Sequence, residues 1–497
     1  MKSTITRASG ALVLAIAFGL TGCGGGGGGS STPTLPGPNP GGGISGTGSP
    51  MSASGPIAVS GTGAVSINGV AVATSNTTTV RIDDNPKTVG EVKDGMTGKV
   101  RGRINDDRVT GTADTIEIEN EVRGVAQAVQ GNVSPQRFTV NGQTVFVDDL
   151  TVYANLANFG ALVSGTTYVE VHGLRDAAGA IRATRVEAQT AGVGGLVDEI
   201  RGTVTALGTN SFTLGSTTVT YSAATVFTPA GSTSGSLQVG TLVEVHGNFT
   251  AASTTFAATR IDFEDSEDSS LAPSGTDNAE VEGYVSGFTG LGSTFKVGTR
   301  TVSVGSATRY EGGTSADLAN DARVEAEGNV NASGVLVANK IQFKQRRIIL
   351  QAAPTVVNVA GNTLTVLGKS IQVTTLTRID GNNATSLADI QVNVDCVEVR
   401  ASLVGTSIVA DEVKEQSSGG CDWILRAPVE SADSAAGTVT MLGTAVNVNA
   451  AQFRDTNDVA ITRAAFFTGA TAGTVVKTKG TNASASPLVA SEAELEN

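Results

Sequence analysis

The sequence predicts an all-β protein: a tandem array of about six small five-stranded barrels behind a flexible N-terminal segment. Three observations carry this expectation. Apolar and polar residues alternate in short runs, the period-2 pattern of strands with one buried face. Two anchor motifs recur in fixed order along the chain, the mark of internal duplication. Turn dipeptides such as Asn141-Gly142 separate the runs where a hairpin needs positive φ. No stretch of the 497 residues after the N-terminus has a convincing helical period.

The N-terminus comes first. Lys2 and Arg7 precede an apolar run at 11–20 that is too short to span a bilayer, the pattern of a secretory signal. The run ends in Leu20-Thr21-Gly22-Cys23, which resembles the lipobox of bacterial lipoproteins. That resemblance implies cleavage after residue 22 and lipid on Cys23, and so attachment to the membrane through acyl chains. Gly24, rather than Asp, follows the cysteine, which by the same resemblance points to the outer membrane. Residues 23–53 are read as the lipidated cysteine and a tether. Of these, 24–50 are almost entirely Gly, Ser, Pro and Thr and cannot form a core, so they span about 30 Å as a flexible coil. The glycine run at 24–29 lacks the following Lys-Ser/Thr of a phosphate loop.

The first anchor is a strand ending in glycine, Val169-Glu170-Val171-His172-Gly173. It returns as Val243-Glu244-Val245-His246-Gly247, Val324-Glu325-Ala326-Glu327-Gly328 and Val397-Glu398-Val399-Arg400-Ala401. Weaker copies begin at Gly98 and Val476. The second anchor, Ala183-Thr184-Arg185-Val186, lies shortly after the first, with copies beginning at Ala113, Ala258, Ala338, Ala410 and Ala490. These anchors divide the chain into modules at 54–120, 121–190, 199–264, 280–343, 348–416 and 424–497, the first and last divergent.

Within a module, an opening strand such as Glu121-Val122-Arg123-Gly124-Val125 leads to a hairpin, Arg137-Phe138-Thr139-Val140 and Thr144-Val145-Phe146-Val147. A variable stretch with a leucine follows, and the two anchor strands close the unit. Five short strands in about 70 residues favour closure, which leaves no exposed edge. The insertion between the third and fourth strands is OB-like. Stacked small β-sandwiches are the alternative. Cores this small are marginal alone, so adjacent modules are expected to support each other.

This order of motifs, clearest over 121–190, 199–264 and 280–343, is similar to the domain of unknown function 5666, which occurs in tandem in bacterial lipoproteins. The resemblance implies the fold and the location. It brings no activity, cofactor or catalytic residue.

Composition excludes several functions. The net charge of −13 and only 21 aromatic residues oppose nucleic-acid binding, which needs a basic surface and stacking platforms. Neither Gly-x-Ser-x-Gly nor His-Glu-x-x-His occurs. With two histidines and three cysteines, no catalytic set, cofactor site or metal site is expected. His172 and His246 occupy one position in two modules, where others carry Glu327, Arg400, Lys479 or Arg101. Only polarity is common to these, so the position is expected to face solvent. Asp262, Glu264, Asp265, Glu267 and Asp268 could offer oxygen ligands to Ca²⁺, but read better as a solvated linker. Cys396 and Cys421 are the two thiols left after lipidation, and an exported chain favours a disulfide between them beside Trp423.

These readings lead to one expectation and two alternatives. The expectation is a non-enzymatic, lipid-anchored cell-envelope protein, a binding or structural scaffold whose partner is an envelope protein or a glycan. The alternatives are a surface adhesin or glycan-binding protein, and an enzyme with a carboxylate site at a module junction.

Overall fold

The computed structural model describes residues 48–496 except 60–63, 132–134, 149–150, 191–196, 265–277, 312, 345–347, 375–376, 381–383, 385, 405–406, 417–420 and 457–458. The signal segment, Cys23 and most of the tether lie outside the described residues. The rest belongs to one compact unit, Ser45–Asn497.

Residues 121–190 show the repeated circuit. The opening strand Val122–Gln130 pairs antiparallel with Arg137–Val140, which turns through Asn141 (φ 49°) and Gly142 (φ 79°) into Gln143–Phe146. Gln143–Phe146 pairs in parallel with the fifth strand, Ile181–Gln189. The fifth pairs antiparallel with the fourth, Tyr168–Arg175, and the fourth returns to the opening strand. The circuit closes with every strand paired on both sides, which selects the OB-like barrel over the sandwich. Inward residues Val122, Phe138, Val145, Val171 and Ile181 fill it. The same circuit recurs in the other five stretches. In the fifth, Pro354 splits the opening strand into Ile348–Ala352 and Val356–Asn358. The first barrel begins with Ser49–Val59, so five residues read as tether are strand, and Met51 and Ala53 are buried in its core.

Both anchors have a backbone cause. The register between fourth and fifth strands shifts at His172/Gly173, and likewise at Arg101/Gly102, His246/Gly247, Glu327/Gly328 and Arg400/Ala401. This bulge brings the two backbones so close that a Cβ on Gly328 would lie 2.0 Å from the Val337 carbonyl oxygen. A threonine turn, less visible in sequence, supports the second anchor. Thr151 Oγ1 donates to the Ala183 carbonyl (2.9 Å) and accepts from the Asp148 amide (3.1 Å). Thr78, Thr225, Thr308 and Thr377 donate in the same way to Ala113, Ala258, Ala338 and Ala410. Before the fourth strand a short 3₁₀ turn presents the buried Leu162, Leu237, Leu318 or Ile390 to the barrel. In the last module this plug is an α-helix, Arg463–Gly469, with Phe466 buried and Thr462 as N-cap. The expectation of a chain without a helix is corrected here: seven residues are too few for a helical period to stand out.

The barrels join through their opening strands. Each is bound to the fourth strand along its first half but meets the second strand only in its second half. The edge left over is covered by another barrel. Met51–Ser54 pairs in parallel with Asn278–Val281. Val122 and Arg123 pair with Ile200 and Glu199, and Ile349–Gln351 with Ile424–Arg426. Modules two and three, and modules five and six, join as expected of adjacent modules, and module one joins module four as well. An unpaired strand edge is satisfied by whichever equivalent edge reaches it.

The structure bonds Cys396 to Cys421, with the Cα atoms 5.4 Å apart. Cys396 starts the fourth strand of module five, and Trp423 is fully buried at the start of module six. Closing a loop of this length restricts the unfolded chain. Cys421→Ser is therefore expected to lower stability by about 3 kcal/mol in urea unfolding under oxidising conditions, and by nothing measurable in reductant.

Candidate functional site

The fourth strand of each barrel sends its valines inward and its alternate residues outward. In module two these are Glu170 and His172, and in module three Glu244 and His246. Outward does not mean solvent here. His172 is 0% exposed and the His246 side chain 16%, which corrects the surface reading of both. Pairing of the opening strands packs the outer face of one barrel against the next, and the junction of modules one, two and three covers these strands.

Arg123, from the opening strand of module two, organises the junction. Its Nη1 donates to Asp83 Oδ2 of module one (2.7 Å) and to Glu170 Oε2 (3.3 Å), and its Nη2 to Glu199 Oε2 of module three. Asn120 Nδ2 donates to Asp83 (3.1 Å) and Glu199 (2.7 Å). The His172 ring lies between the Glu119 carbonyl (3.1 Å) and Glu170 Oε1 (3.2 Å). In module three, His246 Nε2 is 2.8 Å from Glu244 Oε1 and 3.2 Å from Asp262 Oδ2, and its Nδ1 is 3.6 Å from Glu199 Oε2. Arg260 Nη2 also pairs with Asp262, at 2.7 Å.

Buried carboxylates crowd this junction, and their protons redistribute. Burial, reinforced by the Glu244 charge against the opposing Arg201, pushes Glu119 up to about 10. Burial and Glu244 likewise hold Glu199 well above the usual range despite Arg123. Glu170 is opposed by burial, but His172 and Arg123 outweigh it and bring the carboxyl down to about 2. Burial alone would lower His246, yet its bonds to Asp262 and Glu244, with the Glu199 charge, push it up to about 10. Chemically the cluster offers carboxylate oxygens and an imidazole nitrogen to a cation. Its members are too enclosed to meet a large substrate.

The acidic run expected as a solvated linker is divided by the structure. Asp262 belongs to the fifth strand Thr255–Phe263 and is 3% exposed. Glu264 is pushed up to about 7, mainly by burial. Asp265, Glu267 and Asp268 lie outside the described residues, as does Cys23. Sequence reasoning weighed the variable position of the first anchor and passed over the constant one. Glu170, Glu244, Glu325 and Glu398 recur two residues before it. A glutamate held through four repeats beside a freely varying neighbour was the available signal.

Modules one and four form a second buried joint. Glu280 is pushed up from 4.5 to about 8 by burial and then by Glu325 and Glu327, which outweigh Lys340 and Lys344. A carboxyl raised on folding binds its proton more tightly in the folded chain. Its stabilising share is complete below about pH 4.5 and is lost as pH rises through 8. Glu280→Gln is therefore expected to flatten that decline and to raise stability at pH 9 by about 1–3 kcal/mol. Urea unfolding at pH 5 and pH 9 checks this, and parallel pH curves for the two proteins would oppose it.

Residues 123–187, 201–262, 282–342 and 355–414 match the family described as Domain of unknown function (DUF5666). The matches fall on modules two to five, and the flanking modules share their strand circuit without matching. No curated protein matches the chain. With four tandem copies of the domain across residues 123–414, the chain belongs to the DUF5666 family.

Proposed function

We propose that this chain is a non-enzymatic, lipid-anchored scaffold of the bacterial cell envelope, tethered at Cys23. The observation that carries the reading is where the polar chemistry lies. The charged outward faces of the barrels are spent on joints between barrels, through Arg123, Glu280 and their partners. The opening strands pair with one another. Such joints suit a body that holds a fixed spacing and presents its remaining surface to a partner. The lipobox-like Leu20-Thr21-Gly22-Cys23 and the glycine-rich stretch behind it support anchoring.

The test is fractionation of cells expressing the chain or its Cys23→Ala variant. The chain is expected in the membrane fraction, labelled by radioactive palmitate, and the variant is expected in neither. Equal membrane association of the two would overturn anchoring. Protease added to intact and to permeabilised cells then distinguishes external from periplasmic scaffolding. Turnover of any envelope substrate by the purified chain would overturn the non-enzymatic reading.

A further inference from the structure

We propose that His246, Glu244 and Asp262 of module three bind one divalent cation of the zinc class, with Glu199 orienting the imidazole. The argument rests on comparing repeats at one place. In module four, Glu325 occupies the position of Glu244, and two cations hold it: Lys344 Nζ at 2.5 Å and Lys340 Nζ at 3.5 Å. Counting from the second-anchor alanines, Ala258 and Ala338, Arg260 stands for Lys340, Asp262 for Gln342 and Glu264 for Lys344. Module three has thus replaced one ammonium by a carboxyl and placed a second carboxylate, Asp262, directly opposite Glu244 across the strand pair. Arg260 holds Asp262 Oδ1 at 2.7 Å, which leaves Asp262 Oδ2 and Glu244 Oε1 both facing His246 Nε2.

The geometry shows where that cation fits. Glu244 is 2% exposed, and its Oε2 has no hydrogen-bond partner. Its Oε1 and Asp262 Oδ2 lie 2.8 and 3.2 Å from His246 Nε2. Ligand atoms about 2.0–2.1 Å from a tetrahedral Zn²⁺ sit about 3.3 Å from one another, close to the 2.8 and 3.2 Å that separate His246 Nε2 from the two carboxylate oxygens. Ligand atoms of Glu199, Glu244 and His246 lie within 4.8 Å of one another. Glu199 at Nδ1 is placed as the carboxylate that fixes ring orientation in histidine–zinc sites. One nitrogen among oxygens favours zinc-class ions over Ca²⁺ and Mg²⁺, which prefer oxygen alone. The 16% exposure of His246 gives an ion its approach. Module two cannot do the same. Arg123 Nη1 reaches Glu170 Oε2 there, at 3.3 Å, whereas the equivalent Glu244 Oε2 has no hydrogen-bond partner.

The expectation of no metal site rested on a count of two histidines and three cysteines, and the proposed site departs from it. One histidine suffices when the fold supplies the carboxylates.

The experiment is titration of the full, untagged, chelator-stripped chain with Zn²⁺ by calorimetry, and with Co²⁺ followed by visible absorption. One equivalent is expected to bind, with the intense visible bands of tetrahedral Co²⁺ and a higher melting temperature. His246→Gln and Glu244→Gln are each expected to weaken binding at least about tenfold, and Glu199→Gln about tenfold. His172→Gln is expected to leave it unchanged. Circular dichroism of each variant separates loss of the site from loss of the fold. If Glu244→Gln does not fold, the His246→Gln and His172→Gln pair decides. Failure of the wild-type chain to bind, or binding equally sensitive to His172→Gln, would overturn the proposal.

Discussion

Arg123→Ala is expected to destabilise the junction of modules one, two and three by about 3–5 kcal/mol. The side chain is buried and is shared by three carboxylates, Asp83, Glu170 and Glu199. Its loss leaves buried negative charge without a counter-charge, a far larger penalty than the net worth of an exposed ion pair. Arg123→Met restores apolar volume but not charge, so it should recover little. Arg123→Met combined with Glu170→Gln and Glu199→Gln removes the guanidinium and two of its three carboxylates and should recover part of the loss. Urea unfolding measures the size. Hydrogen exchange locates it, with faster exchange expected along Val122–Gln130 and Asp198–Gly208. A loss below about 1 kcal/mol would mean that water already reaches these carboxylates.

Gly328→Val is expected to cost module four about 3 kcal/mol. A Cβ there meets the Val337 carbonyl oxygen at 2.0 Å, its carbon at 2.8 Å and Ala338 Cα at 2.9 Å. All three are backbone atoms that no rotamer change can move. Gly328→Ala should cost less, because module five carries Ala401 at the same bulge and its two strands still pair. Exchange along Arg323–Val330 and Leu336–Phe343 is the local readout. Unchanged protection there in Gly328→Val would show that the bulge opens without strain.

The fold was legible in sequence because its causes are local. Alternation sets which side chain enters a barrel, Asn141-Gly142 sets a hairpin, and the bulge demands a small residue at Gly173, Gly247 and Gly328. The helix Arg463–Gly469 was missed because it is a seven-residue plug in one module only. The threonine turn was missed because a lone Thr151 or Thr225 in a polar stretch has no period to reveal it.

The candidate site was legible only in part. Sequence placed His172 and His246 away from their own barrel cores, since each flanks an inward valine. Whether water or protein covers an outward position depends on partners far along the chain: residues 83 and 170 meet at Arg123, and Met51 pairs with Asn278.

The sequence by itself therefore determined the duplication, the order of strands in each module and which residues alternate inward. These follow from period-2 burial and turn chemistry within about 70 residues. Only the tertiary structure decided which barrels join, that both histidines are enclosed, and that Glu244 and Asp262 face one imidazole. An opening strand leaves half an edge unpaired, and any equivalent edge can satisfy it. The choice among them is made by the packing of whole barrels, which no local pattern encodes.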